Sequence, residues 1–583
     1  MQVFGAALFA AALTGCPAPT QTTTPPVEQT RSDLLRARYP DLTSGRFAVV
    51  ADFEDPAQFE LFHVEGEGAA VDDLTTSQAG VQNTGGQCLA MRFAAPTAKL
   101  VANNTTAHSW LLKRDWRDYT LLLMNVFSQS DNVRLYVELV GGDDERTKTT
   151  RANWNLIAGW NLLRLDLGEA GQFVPLDEIR EIRWSVEPGP NPVLLRFDDI
   201  LLTDNRKTVF GSPDGAEGSL YVQHAGRRIS VGAVGRFELG LANGQIVRWY
   251  ALATDPARLR DLVGVGNALG PMPVRLPPGA DWRQETDWRW LLGGAGAETV
   301  VGAQQRLMEA NAVRAVVECT WSLSAGDHTV ELARWLYVIY PSGQVYATVV
   351  CGSAAGDNNA GDIGLAVSRK PQEFLTAEVH APGRLGDLPA LANRSYACLS
   401  TGDAGTGLFF MLNDSACGPQ LQAVMSPDAP RYSVVAYGGG RDCPANPWSA
   451  LLGVGPAGDC RPATSAACAR AYGATDAIDL LVGDYRRDTV GDADGDGFNE
   501  RFGSFMLKPE AGRVQLRLHA QSTPIMSPAF SVEVGDAGEA WVYVDNLIHA
   551  PVARDPHGNL VFQVPGLCDH DMLVEVYLRE PTR

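Results

Sequence analysis

The stretch Val133-Arg-Leu-Tyr-Val-Glu-Leu-Val140 indicates the fold class, because β-branched, aromatic and leucine residues in such a short run are typical of a strand. Comparable runs, including Ala333–Tyr340 and Trp541–Val544, recur between segments rich in Gly, Asp, Asn and Pro. Helix patterns are few, with Pro175–Ile182 and Asp255–Val263 as the main candidates. No internal period of about 20–50 residues is visible, which disfavours a solenoid or a propeller. The sequence therefore predicts an all-β fold.

Length and charge limit the class of protein. The chain has 583 residues, of which 45% are hydrophobic, so it can build several domains with substantial cores. It carries 68 acidic and 48 basic side chains, which gives a net charge of −20. A polyphosphate would be repelled unless Lys and Arg formed a concentrated patch, and the sequence has no such run. The sequence therefore argues against nucleic acid as a partner.

The N-terminus contains an apolar run from Val3 to Leu13, which is followed by Thr14, Gly15 and Cys16. The run is too short for a helix that spans the roughly 30 Å of a bilayer, and it is typical of a signal peptide. Leu13-Thr-Gly-Cys16 resembles a bacterial lipobox, which implies cleavage before Cys16 and a diacylated thiol that anchors the chain stably. The usual basic residues before the apolar run are missing. The alternative is a buried helix with a chance cysteine.

Residues 17–45 are predicted to be an extended tether behind the signal peptide of residues 1–16. The segment Pro17–Thr30 is rich in Pro and Thr and has almost no apolar content, so it cannot bury a core. Together the two segments predict an exported lipoprotein, anchored to a membrane at the cell surface or in the periplasm.

Residues 46–206 form the first predicted domain. It opens with Phe47–Glu54 (FAVVADFE), contains Gly159–Leu167 (GWNLLRLDL) and closes with Leu194–Leu202 (LLRFDDILL). This order of an Asp-Phe-Glu strand, a Gly-Trp-Asn strand and a Phe-Asp-Asp-Ile strand resembles the jelly-roll carbohydrate-binding modules of the galactose-binding-like group. The resemblance implies a jelly-roll β-sandwich that binds a polysaccharide or another glycan.

Residues 207–440 form the second predicted domain. Its strand-like landmarks include Gly235–Trp249 and Tyr337–Tyr346, with Asn-Gly and Ser-Gly pairs that are typical of hairpin turns. The layout is similar to the β-supersandwich of galactose mutarotases and polysaccharide lyases, which implies a scaffold that can host an enzyme. No active-site string of either family is present, so the catalytic residues stay unknown.

Two further segments complete the chain. Residues 441–470 are a Gly-, Pro- and Ala-rich loop region that contains Cys443, Cys460 and Cys468. Export permits disulfides between such cysteines, and free buried thiols are the alternative. Residues 471–583 are a small C-terminal β region, which is either a separate sandwich or the last part of the second domain.

The motif Asp492-Ala-Asp494-Gly-Asp496-Gly-Phe-Asn-Glu500 predicts a structural Ca²⁺ loop. Carboxylates at alternate positions before a glycine turn can bring oxygens together on a hard cation, and Ca²⁺ takes about six to eight of them. The first five positions match the start of an EF-hand loop. Gly503 stands where that motif has a Glu, so Glu500 is the candidate for the missing ligand. A solvated Asp/Gly turn is the alternative.

The jelly-roll resemblance implies a second Ca²⁺ site. Modules of this kind often hold a structural Ca²⁺ between the first and last strands, which by position would use Asp52 and Glu54 with Asp198 or Asp199. Because side chains alternate along a strand, only one of the last two can face the ion, and we take Asp198 as that ligand. Exposed carboxylates at strand ends are the alternative.

Sugar binding needs aromatic rings beside polar groups, because sugar rings stack on aromatic faces. In the first domain, Trp154 lies among the polar residues of Arg151-Ala-Asn-Trp-Asn155 and is predicted to lie in a loop. In the second domain, residues 281–290 (DWRQETDWRW) place three rings among Arg and carboxylates, namely Trp282, Trp288 and Trp290. A core position for each ring is the alternative.

Three functions compete. The favoured one is a non-catalytic, lipid-anchored surface protein that binds glycan through the jelly-roll module. The second is a polysaccharide-acting enzyme, a lyase or related activity, on the supersandwich scaffold. The third is a structural protein of the cell envelope whose Ca²⁺ loops stiffen stacked β domains. No Gly-x-Ser-x-Gly elbow, His-Glu-x-x-His, P-loop or dinucleotide fingerprint is present, which leaves the enzyme without an assembled catalytic set.

Overall fold

A computed structural model of the chain describes residues 30–40, 42–43, 45–78, 86–103, 112–142, 147–171, 173–225, 228–258, 261–263, 269–274, 299–325, 328–352, 362–369, 376–380, 394–400, 406–413, 420–425, 432–438, 449–456, 467–468, 470–473, 475–492, 494–521, 524–535 and 539–580. Several predicted site residues lie outside these ranges: the lipid anchor Cys16 and the sugar-binding candidates Trp282, Trp288 and Trp290.

The first sandwich follows directly from strand-forming runs. Its strands are β1 (Phe47–Ala51), β2 (Phe62–Glu65), β3 (Leu74–Gln78), β4 (Gln87–Phe93), β5 (Lys99–Asn103), β6 (Leu121–Ser128), β7 (Val133–Gly141), β8 (Lys148–Leu156), β9 (Gly159–Asp166), β10 (Ile179–Val186) and β11 (Val193–Thr203). Sheet I has the order β3-β4-β11-β6-β9, with β1 paired to β11, and sheet II has the order β2-β5-β10-β7-β8. Between the sheets, Trp184 meets Phe197 with ring centroids 5.9 Å apart.

Helices are short and few among the described residues. They include α1 (Arg31–Arg38), α2 (Pro56–Phe59) and α3 (Leu167–Ala170), with 3₁₀ turns at Val71–Asp73 and Thr475–Ala477. Residues 467–468 and 470–471 are also helical. In this part of the chain, no helix is both long and apolar enough to cross a membrane. The predicted helix at Pro175–Ile182 is wrong, because residues from Ile179 onward belong to β10.

Helix α1 lies inside the range predicted to be an extended tether. It begins at a capping box in which the Thr30 hydroxyl accepts from the Asp33 amide and the Asp33 carboxylate accepts from the Thr30 amide. The described part of residues 17–45 is therefore ordered as a helix rather than extended. Leu35 and Tyr39 are buried against three leucines on the outer face of sheet I, namely Leu121, Leu123 and Leu201.

The second sandwich is the largest unit. Its strands are β12 (Lys207–Phe210), β13 (Leu220–Ala225), β14 (Arg228–Ala233), β15 (Phe237–Ala242), β16 (Gln245–Tyr250), β17 (Leu269–Val274), β18 (Thr299–Ala310), β19 (Ala315–Ala325), β20 (His328–Ile339), β21 (Val345–Gly352), β22 (Asp362–Arg369), β23 (Thr376–His380), β24 (Arg394–Ser400), β25 (Thr406–Asn413), β26 (Gln420–Met425), β27 (Tyr432–Gly438) and β28 (Ser449–Pro456). Sheet III has the order β12-β13-β14-β15-β16-β17-β22-β27-β26, and sheet IV has the order β18-β19-β20-β21-β28-β25-β24-β23. Since β28 pairs in sheet IV, this unit extends past the predicted boundary at residue 440.

The C-terminal region forms a third unit with its own sheets. Its strands are β29 (Ile478–Val482), β30 (Asp484–Tyr485), β31 (Phe498–Asn499), β32 (Ser504–Lys508), β33 (Arg513–Leu518), β34 (Ile525–Met526), β35 (Ala529–Val532), β36 (Trp541–Val544), β37 (Leu547–Ile548), β38 (Val552–Arg554), β39 (Leu560–Gln563), β40 (Leu567–Cys568) and β41 (Met572–Tyr577). Sheet V has the order β29-β33-β41-β36-β37. Sheet VI has the order β30-β32-β35-β39-β38, with β31 on β32, and β34 pairs with β40.

Strand β20 of sheet IV is buried on both faces, and this joins the second and third units. On β20, Tyr337 and Ile339 pack into the core between sheets III and IV. Leu336 and Val338 point to the opposite face and pack into the core of the third unit. Because alternate side chains of one strand enter two different cores, the C-terminal unit packs against the second sandwich through apolar side chains. The sheets, which are antiparallel except for the parallel pairing of β32 with β35, confirm the all-β prediction.

A buried ion cluster lies at the same junction. Arg314 precedes β19, and its side chain is only 2% exposed. Its guanidinium donates to both carboxylate oxygens of Glu309, at 2.8 and 3.0 Å, and lies 3.4 Å from a carboxylate oxygen of Asp555 in the third unit. The guanidinium carbon also lies 4.9 Å from the centroid of the Phe502 ring. One cation therefore holds together two sequence-distant carboxylates.

Candidate functional site

The two outer faces of the first sandwich differ in character. The outer face of sheet I is apolar where α1 and Tyr39 cover it. On sheet II, alternate residues of β7 and β8 point inward to the core, and the residues between them point outward. The outward residues are polar or aromatic and are exposed or half-buried. The outer face of sheet I also has exposed or half-buried side chains beyond this cover, such as Arg164 and Trp160 of β9. The outer face of sheet II differs in presenting polar and aromatic groups side by side across three strands, and it is the candidate surface for a ligand.

Strand register places the outward side chains of sheet II directly opposite one another. Arg134, Tyr136 and Glu138 of β7 face β8 residues Asn155, Asn153 and Arg151, in that order. On the other side of β7, Ser185 and Arg183 of β10 stand opposite Tyr136 and Glu138. Neighbouring outward side chains of this kind are close enough to interact across the strands. These outward side chains form the candidate site, the outer face of sheet II.

Tyr136 is the aromatic centre of this face. The guanidinium carbon of Arg151 lies 3.7 Å from the centroid of the Tyr136 ring, and that of Arg134 lies 5.7 Å from it. Arg134 also donates two hydrogen bonds of 3.3 Å to the side-chain oxygen of Asn153. A planar guanidinium held on an aromatic ring keeps its free N–H groups available for a ligand.

The carboxylates of the face are bound by a third arginine. Arg183 lies 2.5 Å from a carboxylate oxygen of Glu181 and 3.5 Å from one of Glu138. Burial opposes the charge on Arg183, but the two carboxylates outweigh it and raise the pKa of this guanidinium. Glu138 and Glu181 are thus engaged within the sheet.

Trp154, the predicted sugar platform, lies on strand β8 rather than in a loop. Its ring is half-buried and packs against the core of the first sandwich. Because side chains alternate along a strand, its neighbours Asn153 and Asn155 point to the open side instead. The predicted segment does reach the candidate site, but through these amides and Arg151.

The carboxylates proposed to hold Ca²⁺ in the first domain are occupied by protein groups. Asp52 accepts a 2.6 Å hydrogen bond from Arg31 of α1. Glu54 accepts from the amides of Gly86 and Gln87, at 2.7 and 2.9 Å. Asp198 is fully buried and accepts from the amide of Asp199. The structure does not bring Asp52, Glu54 and Asp198 together as a ligand group among the residues it describes.

The Asp492 loop is the one place in the described part of the chain where three carboxylates converge. One side-chain oxygen each from Asp492, Asp494 and Asp496 lies within 4.8 Å of the others. Amides of the loop hold them: Asp492 accepts from Gly495 and Gly497, at 2.8 and 3.0 Å. Glu500 is buried and is not a member of this group.

Electrostatics at this loop disfavour three bare charges. Burial, together with the neighbouring carboxylates, raises the pKa of Asp496 to about 6 and also raises the pKa of Asp492. A divalent cation would reverse this effect, because its charge favours the ionised form of each ligand. The oxygens therefore fit a hard cation chemically.

The structure explains why Gly503 replaces the expected Glu. Its φ is +59°, and a Cβ at this position would lie 2.4 Å from the ring of Tyr346 on sheet IV. The twelfth position of the loop is therefore packed against the second sandwich, where no longer side chain fits. The loop shares the spacing of an EF-hand but not its surroundings.

Sequence reasoning missed Tyr136, Arg134 and Arg183 as site residues. The signal for the first two was present in Val133–Leu139, where every second residue is polar or aromatic. Alternation with period two assigns such residues to one face of a sheet. It cannot say that part of the outer face of sheet I is covered, since that depends on where α1 docks.

No protein family and no curated protein matches the chain. Among solved structures, one match is the family 30 carbohydrate-binding module of a cellulosomal cellulase from Clostridium thermocellum, with 11% identity, a TM-score of 0.23 and coverage of 27% of this chain and 98% of that one. Another is the family 11 module from Clostridium thermocellum in complex with a β-1,3-1,4-mixed-linked tetrasaccharide. It has 13% identity, a TM-score of 0.21 and coverage of 27% of this chain and 95% of that one. A third is TmCBM61 in complex with β-1,4-galactotriose, with 12% identity, a TM-score of 0.17 and coverage of 25% of this chain and 90% of that one. These neighbours are carbohydrate-binding modules, but identities and TM-scores this low assign no ligand to this chain.

Proposed function

We propose that this chain is a lipid-anchored surface protein that binds glycan on the outer face of sheet II without catalysing a reaction. The observation that carries the proposal is the group of amides and guanidinium groups arranged around Tyr136 on an exposed sheet. Glycans present many hydroxyl groups, and planar amides and guanidinium groups are suited to bind these side by side. An exposed sheet can also contact several successive sugars of an extended glycan.

Truncation of the aromatic centre tests this proposal. Tyr136→Ala in the full chain should weaken binding to a soluble polysaccharide about tenfold or more, because it removes the ring and releases the Arg151 guanidinium. Affinity electrophoresis against a panel of plant and algal polysaccharides would measure this. Tyr543→Ala, at a half-buried tyrosine of the third unit, is the matched control and should leave binding unchanged. Equal binding by both variants would contradict the proposed face.

The anchor is tested separately. With Cys16→Ser, the thiol that would carry the acyl chains is lost, so we expect the protein to leave the membrane fraction or to keep its first sixteen residues. Cell fractionation and the mass of the mature N-terminus measure both effects. Substitution of the internal Cys88 by Ser is the control for loss of a thiol. An unchanged membrane fraction, with no lipid mass on the native N-terminus, would reject the anchor.

We also propose a structural Ca²⁺ at Asp492, Asp494 and Asp496. The convergence of their oxygens within 4.8 Å and the raised pKa of Asp496 support it. The ion would hold the loop between β30 and β31, next to the contact of Gly503 with Tyr346. Its role is to stabilise the third unit against the second, away from the glycan-binding face.

A further inference from the structure

The outer face of sheet II carries more positive charge at one edge than its own carboxylates neutralise. Arg134 and Arg151 lie at the β7–β8 edge, and both are exposed. Within the described residues, Arg134 bonds only to the neutral Asn153, and Arg151 contacts only the Tyr136 ring. Neither guanidinium has an ion-pair partner there.

The nearest carboxylates do not correct this imbalance. Glu187, just after β10, donates its backbone amide to the Arg134 carbonyl at 2.9 Å, but no ion pair joins the two side chains among the described residues. Glu138 stands opposite Arg151 across the strands, but its carboxylate turns to Arg183, at 3.5 Å. Glu181 binds the same Arg183 at 2.5 Å. The ion pairs therefore collect on the β10 side of the face. The β8 side keeps two cations and two amides, those of Asn153 and Asn155.

The Tyr136 ring is not open for ordinary stacking of a neutral sugar. Arg151 already covers it, with its guanidinium carbon 3.7 Å from the ring centroid. A neutral sugar would have to displace this cation, whereas an anionic group could bind to it in place. Guanidinium groups bind planar carboxylates and sulfates through paired N–H donors, which gives stronger hydrogen bonds than neutral partners do.

We infer that the glycan is anionic, a uronate or sulfate-ester polysaccharide whose negative groups bind to Arg134 and Arg151. The inference rests on the proposed function. Both guanidinium groups lie beside one ring, at 5.7 and 3.7 Å from its centroid, so acidic groups along one glycan chain can reach each of them. The amides of Asn153 and Asn155 would then bind hydroxyl groups of the same or the next sugar.

Matched pairs of ligands test the inference on the full chain. Oligogalacturonate is compared with its fully methyl-esterified form, and a sulfated galactan with its desulfated form, by calorimetric titration. We expect the charged member of at least one pair to bind about tenfold or more tightly, because each charge-assisted contact strengthens binding. The pair that shows the difference identifies carboxylate or sulfate as the recognised group. The advantage should shrink between about 0.05 M and about 0.5 M NaCl, since the contacts are exposed.

Two variants locate the effect. Arg134→Gln with Arg151→Gln should abolish the preference for the charged ligand. Arg164→Gln, at an exposed arginine of β9 in sheet I, should leave the preference intact. Equal affinity for charged and neutral ligands, with binding still lost in Tyr136→Ala, would overturn the inference and leave the proposed function standing. If the protein bound no member of either pair and nothing in the wider panel, both the inference and the proposed function would be contradicted.

Discussion

Replacement of Arg314 by Met is expected to lower the free energy of unfolding by about 3–5 kcal/mol, because it leaves two buried carboxylates without their cation. Glu309 and Asp555 have side chains only 7% and 5% exposed. Glu309 would keep one hydrogen bond from Asn311, at 2.6 Å. The loss should appear as a lower midpoint in urea unfolding of the full chain.

The matched control is another arginine on the adjoining strand. Arg306 pairs with Glu318 across β18 and β19 at 3.3 Å, but its side chain is 68% exposed. Arg306→Met should therefore change stability by only about 0–1 kcal/mol. A combined variant, Arg314→Met with Glu309→Gln and Asp555→Asn, should recover part of the loss, since it removes the stranded charges. A loss as small as that of the control would show that the cluster is not buried in solution.

The position of the cluster also predicts how the chain unfolds. Asp555 lies 241 residues from Arg314 and belongs to the third unit, whereas Glu309 belongs to sheet IV. Since sheet IV is also buried against the core of the third unit, the two units are expected to unfold together. In Arg314→Met, the third unit should begin to separate at a lower urea concentration than the rest, and a second transition would report this.

How far the sequence predicts this structure depends on the range of each interaction. The all-β class follows from local runs such as Val133–Val140, and the convergence of the Asp492 loop follows from carboxylates only two residues apart. By contrast, nothing near Arg314 in sequence indicates that Asp555 will meet it. The same limit applies to the docking of α1, which covers part of the outer face of sheet I.

Two local errors have identifiable causes. The pattern Ile179, Ile182 resembles helical spacing, but it arises from a β-bulge between Ile179 and Glu181 that shifts the register against β7. The polar composition of Lys148–Leu156 resembled a loop, yet it is a strand at the end of sheet II with one exposed face. An edge strand with a solvated face carries few of the apolar signals by which strands are recognised.

Addition of Ca²⁺ to the full chain at about pH 7 is expected to raise the melting temperature, by a stabilisation of about 2.7 kcal/mol at a hundredfold excess over the dissociation constant. The ion would neutralise the three carboxylates that the Asp492 loop holds within 4.8 Å. With Gly503 in place of the bidentate Glu, we expect an affinity of about 10⁻⁴–10⁻³ M, as in extracellular modules. Chelator should reverse the shift.

Variants distinguish the effect of bound Ca²⁺ from the effect of the carboxylates of the loop. Asp494→Asn with Asp496→Asn should remove the response to Ca²⁺, and in chelator this variant should be more stable than the parent protein at about pH 7 because the repulsion is gone. Asp484→Asn with Asp488→Asn, at exposed carboxylates outside the converging group, changes the charge equally and should keep the response. If titration with about millimolar Ca²⁺ gave no heat and left the melting temperature unchanged, the solvated turn would be favoured.

The sign of the pH dependence gives the sharpest test of this site. Without a cation, the pKa of Asp496 is raised to about 6 in the folded protein, above its ordinary value of 3.8. The folded state then binds more protons than the unfolded state between these values, so stability should rise as the pH falls from about 7 toward about 4. With saturating Ca²⁺ the slope should reverse in the same range, because protons compete with the ion for the carboxylates. Melting curves in chelator and in Ca²⁺ at both ends of this range measure the two slopes, and parallel slopes would contradict a cation at these three residues.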